Sequence, residues 1–94
     1  MADRKIVHVL ISGAVQGVWF RAWTVQEAQA RGLDGWVRNR RDGDVEAVFA
    51  GPAAHVDDMI RACHRGPEAA RVSSVDVTPH TEEPGRGFHK VHTA

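Results

Sequence analysis

Residues 33–50 read LDGWVRNRRDGDVEAVFA, two strand-forming runs around the pair Asp42-Gly43. Glycine takes positive φ at no steric cost, so Asp-Gly between two such runs signals a hairpin. The reading predicts one strand over 33–41 and another over 44–50. Whether the loop between them holds two residues or more stays open at this level. Working outward, each side of the hairpin meets a helix and then a strand. On the N-terminal side, 20–31 predicts a helix. Phe20, Trp23, Thr24 and Ala28 fall near one face at spacings of three and four, and Gly32 stops it. Before it, IVHVLIS over 6–12 is rich in β-branched residues and nearly all apolar, as a central strand is. On the C-terminal side, Gly51-Pro52 punctuates the chain and a helix follows over 53–64. Its stripe is Val56, Met59, Ile60 and Cys63, at i, i+3, i+4 and i+7, and Gly66-Pro67 ends it. A fourth strand over 71–78 alternates Val72, Ser74 and Asp76 against Ser73, Val75 and Val77, which leaves its core face ambiguous. The stretch 82–87 is polar. Residues 88–92 have room for a short fifth strand at an edge.

The order β-α-β-β-α-β is that of an α+β, ferredoxin-like sandwich of the split-βαβ kind. The chain has 94 residues, the size of one domain, with no linker and no repeat, so 1–94 reads as one unit. It is 43% hydrophobic and 26% charged, enough apolar material for one modest core. Twelve basic and twelve acidic residues cancel to a net charge of zero, which argues against nucleic acid as a partner. Cys63 has no second cysteine to pair with, which fits a reducing cytoplasm. No apolar run approaches the ~20 residues that span a bilayer. The start Met1-Ala2-Asp3-Arg4-Lys5 shows no signal peptide. The expectation is a cytoplasmic protein with no membrane partner.

One segment breaks the usual charge pattern. Between Arg4 and Gln26 there is no acidic residue. Helix starts favour Asp or Glu, because the dipole and the unpaired N–H groups there carry partial positive charge. Here the first turn carries Arg21. Two positive features stack without a protein anion, and a bound anion resolves this. The preceding loop, Gly13-Ala14-Val15-Gln16-Gly17-Val18, is bracketed by glycines that permit a nest of N–H groups suited to phosphate oxygens. Arg21 would add two-pronged contact, and Val15, Val18 and Phe20 would wall the site. Taken alone, this loop also reads as a plain strand-to-helix connection. It lacks the endings of nucleotide and dinucleotide loops.

Arg38, Asn39, Arg40 and Arg41 surround the hairpin. The arginines read as a solvated edge. Asn39 differs, as a neutral amide that donates and accepts at once and can hold a water without competing as a nucleophile.

At this point the chain resembles the acylphosphatase family. The matching residues are Gly13-x-Val15-Gln16-Gly17-Val18-x-Phe20-Arg21, then Gly32-Leu33-x-Gly35-Trp36-Val37-x-Asn39, then Asp42-Gly43-x-Val45-Glu46. Gly51-Pro52 and Ala69-x-x-Val72 also match, and the resemblance covers about 6–92. It implies an antiparallel sheet of five strands with two helices on one face. It implies hydrolysis of acyl phosphates to a carboxylate and inorganic phosphate, without metal or other cofactor. It puts phosphoryl binding on Arg21, orientation of the attacking water on Asn39, and the N–H cradle on Val15, Gln16, Gly17, Val18, Trp19 and Phe20. Trp19 fills a variable position, and its bulk would narrow or shield the mouth. Arg40 adds a charge near the site. Nothing suggests more than a monomer.

Other constellations carry less. The six histidines, His8, His55, His64, His80, His89 and His92, are spread over different elements and form no coherent metal cluster. His89 and His92, three apart on a strand, would face opposite sides. Cys63 on its apolar stripe reads as core, Asp57-Asp58 as an exposed pair, and Trp36 and Phe49 as packing. Two alternatives to the enzyme are an anion-sensing or RNA-binding module of the same shape, and an accessory domain of a larger carbamoyl-transferring protein. Few aromatics are left for RNA stacking, and the 94-residue length argues against the second.

Overall fold

The computed structural model describes residues 3–94; Met1 and Ala2, where the N-terminal lead begins, lie outside the described residues. The elements are β1 (Arg4–Ala14), α1 (Phe20–Ala30), β2 (Asp34–Asn39), β3 (Val45–Pro52), α2 (Ala53–Arg65), β4 (Arg71–Pro79) and β5 (Phe88–Lys90). The strands form one sheet in the order β4-β1-β3-β2-β5, so β1 is interior as its apolar run predicts. Both helices lie on one face, α1 over β2, β3 and β5, and α2 over β1, β3 and β4. Among the described residues no helix is long and apolar enough to cross a membrane.

Alternation decides which side chains are buried under the helices. Val7, Val9 and Ile11 of β1 and Val45, Ala47 and Phe49 of β3 point into the core beside Phe20, Ala28, Val56, Met59 and Cys63. Each large apolar side chain withdrawn there contributes roughly 1.5–3 kcal/mol. Phe49 stacks on Phe88, with ring centroids 5.4 Å apart. Thr24 is buried and satisfied, its Oγ1 donating to the Phe20 carbonyl at 2.7 Å. Cys63 is a core residue, and burial pushes its thiol up to about 12, which makes it a poor nucleophile.

The hairpin connection, left open by the sequence, runs over 40–44, longer than the two-residue form. Asn39 pairs with Val45, the Arg40 N–H donates to the Asp44 carbonyl at 2.8 Å, and Gly43, at φ 99°, donates to the Arg40 carbonyl at 3.1 Å. The ambiguous face of β4 is resolved by a bulge. Gly13 pairs with Val72 and Ser12 with Ser74, so Ser73 is skipped. The extra residue puts Val72 and Val75, three apart, on the same core face.

One expectation is corrected. The sheet is mixed rather than wholly antiparallel, because β5 pairs parallel to β2. The reason lies in where β4 ends. Pro79 pairs with Val7, at the end of the sheet where β1 and β2 both begin. The segment 80–87 crosses that end and delivers the chain to the start of β2, so β5 runs the same way. The crossing is fastened by Arg4 to Glu83 at 2.6 Å, by the Gly87 N–H to Asp34 Oδ1 at 2.9 Å, and by the Gly35 N–H to the Gly87 carbonyl at 2.9 Å.

Candidate active site

The site begins where β1 leaves its regular pairing. Gly13 sits in the bulge at φ 125°, and a Cβ there would run into the Arg71 carbonyl. Beyond it the chain alternates in hand. Gly17 is left-handed at φ 74°, Val18 is not, and Trp19 is left-handed again at φ 69°. Such alternation turns successive N–H groups toward one concavity. Trp19 is also the residue that caps α1, and no side chain closes that cap. Across 15–22, no backbone N–H donates to a protein acceptor among the described residues. The next to do so is Trp23, to the Trp19 carbonyl at 2.9 Å. A run of donors is therefore left without a partner among the described residues, longer than a helix start alone provides.

The first turn of α1 contains no acidic residue. Arg21, on that turn, has no ion pair and no side-chain hydrogen bond among the described residues. Several other cations of the chain are neutralised at short range: Arg4 by Glu83, Lys5 by Asp57 at 2.6 Å, Arg31 by Glu27 at 2.8 Å and Asp58 at 2.9 Å, Arg38 by Glu46 at 2.7 Å. The left-handed backbone at Trp19 costs on the order of 1–2 kcal/mol for an L-residue. Strain of this kind gathers at binding sites.

Asn39 is the last residue of β2. Its backbone is held by Val45 on one side, and on the other its carbonyl accepts the Ala94 N–H at 3.0 Å. Its side-chain amide has no hydrogen-bond partner among the described residues. Val15, Gly17, Trp19, Phe20, Arg21, Ala22, Asn39 and Lys90 line one cleft of about 360 Å³. The lining holds two cations and no carboxylate. It can take a small anion, with donors on one wall and a free amide beside them.

The acylphosphatase family model matches residues 7–90, nearly all of the described chain. The chain belongs to the acylphosphatase family. An acylphosphatase of Rhizorhabdus wittichii is 56% identical over 86 residues, covering 92% of this chain and 87% of its own length. One of Rhodospirillum rubrum is 55% identical over 84 residues, with 89% and 92% covered. The acylphosphatase structure of Coxiella burnetii superposes with a TM-score of 0.91 at 34% identity, over 95% of this chain and 94% of that one. No comparison supports a sensing or RNA-binding module instead.

Against this acylphosphatase frame, the candidate residues separate. Arg21 and Asn39 come together with Val15, Gly17, Trp19 and Phe20 on the cleft. Gln16 and Val18 do not line it. Val18 packs against the core, and the Gln16 side chain turns to the hairpin. Trp19 lines the cleft while 80% exposed. Arg40 is drawn away, to Asp42 at 3.0 Å and Glu46 at 3.8 Å. Arg38 is the partner of a buried carboxylate on the sheet face away from the helices, 2.7 Å from Glu46, while Arg40 stays part of a solvated edge. His8 joins Arg38 there, its Nε2 2.6 Å from Glu46. Lys90 was invisible to sequence reasoning, because a three-residue edge strand offers no periodicity to place it. Among the described residues no group of three or more His, Cys, Asp or Glu side chains is arranged to hold a metal ion.

Proposed function

We propose that residues 1–94 make one domain that hydrolyses the carboxyl–phosphate bond of acyl phosphates, giving a carboxylate and inorganic phosphate. The observation that carries this reading is the convergence of unpaired N–H groups, an unpaired arginine and a free amide on one cleft without a carboxylate. A phosphoryl group supplies the charge that this wall lacks. Fixed N–H donors and the Arg21 guanidinium stabilise charge on its oxygens, without reorganisation at the moment of reaction.

An acyl phosphate is already activated, so the chemistry asks for positioning more than for a strong nucleophile. Asn39 orients a water in line with phosphorus. The water oxygen bonds to phosphorus, the carboxylate departs with the electrons of the broken P–O bond, and a proton of the water passes to a phosphoryl oxygen. No metal is needed for these steps. Arg21 and Asn39 are the catalytic residues, and the backbone of 15–20 is the substrate cradle. A cytoplasmic monomer acting on a small molecule, with no nucleic-acid or membrane partner, fits the zero net charge and the single buried cysteine.

The test is hydrolysis of benzoyl phosphate by the full chain in ¹⁸O-labelled water with a chelator present. Label in the phosphate and none in the benzoate is expected. Label in the benzoate, or a rate no faster than without protein, contradicts the proposal.

A further inference from the structure

Gln16 lies in the cradle segment, yet its side chain leaves the cleft. Its Nε2 donates to the Arg40 carbonyl at 2.8 Å and to the Asp44 carbonyl at 2.9 Å. Both partners are carbonyl oxygens, so the amide can sit only with its NH₂ toward them. Both of its N–H groups are used. The two carbonyls close the β2–β3 hairpin loop, because the Asp44 carbonyl also accepts the Arg40 N–H at 2.8 Å. Arg40 directly follows Asn39. One side chain therefore ties the loop that follows β1 to the residue beside Asn39, across 24 positions of sequence. No other side-chain hydrogen bond among the described residues joins 13–19 to the hairpin.

We infer that Gln16 is a positioning residue, which holds the water-orienting amide of Asn39 at a fixed separation from the phosphate cradle. The inference rests on the proposed hydrolysis. The cradle and Asn39 come from different elements, a loop and a strand end, and each is anchored to the sheet separately. In-line attack needs their separation fixed to better than an ångström. Gln16 is the direct tie across that gap, and its backbone stays in the cradle while its side chain reaches over.

The test compares Gln16→Leu with wild type on benzoyl phosphate, alone and in an Asn39→Ala background, with inorganic phosphate as competitive inhibitor. Leu keeps the approximate bulk and cannot donate. The expected result is a kcat lowered about tenfold to a hundredfold. The inhibition constant for phosphate stays within about threefold, because the cradle N–H groups and Arg21 remain. In the Asn39→Ala background the same substitution changes kcat less than about twofold, because nothing is left to position. A brace that serves only the fold would instead weaken phosphate inhibition along with kcat and add its full effect to Asn39→Ala; that pattern overturns the inference. So does a folded Gln16→Leu with kcat within twofold of an active wild type, which leaves the hydrolase reading standing. An inactive wild type overturns both. If Gln16→Leu does not fold, Gln16→Ala, which leaves the hairpin carbonyls to water, carries the same expectations.

Discussion

Arg21 and Asn39 line one cleft, the first from the opening turn of α1 and the second from the last residue of β2. They lie 18 positions apart in sequence, and the fold closes that gap by packing α1 over β2. Both side chains lack a partner in the protein among the described residues. Functional side chains are commonly left so, because a partner would compete with the ligand.

That relationship predicts the behaviour of Arg21→Ala. The guanidinium holds no other side chain in place, so its loss spares the fold. The urea midpoint should stay level or rise slightly, by up to about 0.5 kcal/mol, because a cation leaves a helix N-terminus. Activity should not be spared. kcat/KM for benzoyl phosphate should fall by about a thousandfold, and competitive inhibition by phosphate should weaken in the same variant. Steady-state kinetics beside urea denaturation checks both halves.

The left-handed pair in the cradle makes an opposed prediction. A Cβ on Gly17 meets nothing within 4 Å, so Gly17→Ala carries only the conformational cost of φ 74° and should lose about 1 kcal/mol. Trp19 pays such a cost already and is largely exposed. Trp19→Gly should therefore gain up to about 1 kcal/mol, less what glycine adds to the freedom of the unfolded chain. Equilibrium unfolding of the two variants should move in opposite directions.

Glu46 predicts an acid limb of stability. Burial alone would raise its carboxyl, but hydrogen bonds to His8 and Arg38 outweigh that and hold it below the ordinary range. Its folded value is thus below its unfolded one. Its stabilisation is fully present above the unfolded value near pH ~4.3 and is lost as pH falls through the folded value. Glu46→Gln should lose about 1–3 kcal/mol at neutral pH and show a flatter decline below pH ~4. Urea unfolding at a series of pH values measures both.

The regular elements were legible because their signals are local. Phe20, Thr24 and Ala28 repeat at helical spacing, Val7, Val9 and Ile11 alternate beneath the sheet, and Gly51-Pro52 and Gly66-Pro67 mark the ends of α2. What escaped depends on partners distant in the chain. The bulge that skips Ser73 exists only in the pairing of β4 with β1. The parallel run of β5 follows from where Pro79 leaves the sheet. Arg38 read as part of a solvated edge, until the sheet placed Glu46 at 2.7 Å. Trp19 is a different case, since no propensity argument puts a tryptophan in the left-handed region. Lys90 had no pattern to announce it. At the site, residue types pointed to the stretch 13–21 and to Asn39, and the structure brings Arg21 and Asn39 onto one cleft; they did not show that the Gln16 side chain turns to the hairpin.

The most direct measurement is the turnover of benzoyl phosphate by Asn39→Ala, taken together with its inhibition by inorganic phosphate. The account predicts that kcat falls by at least about a hundredfold while the inhibition constant stays within about threefold, since the cradle and Arg21 still hold the phosphate. A folded Asn39→Ala that turns over within twofold of wild type would contradict it.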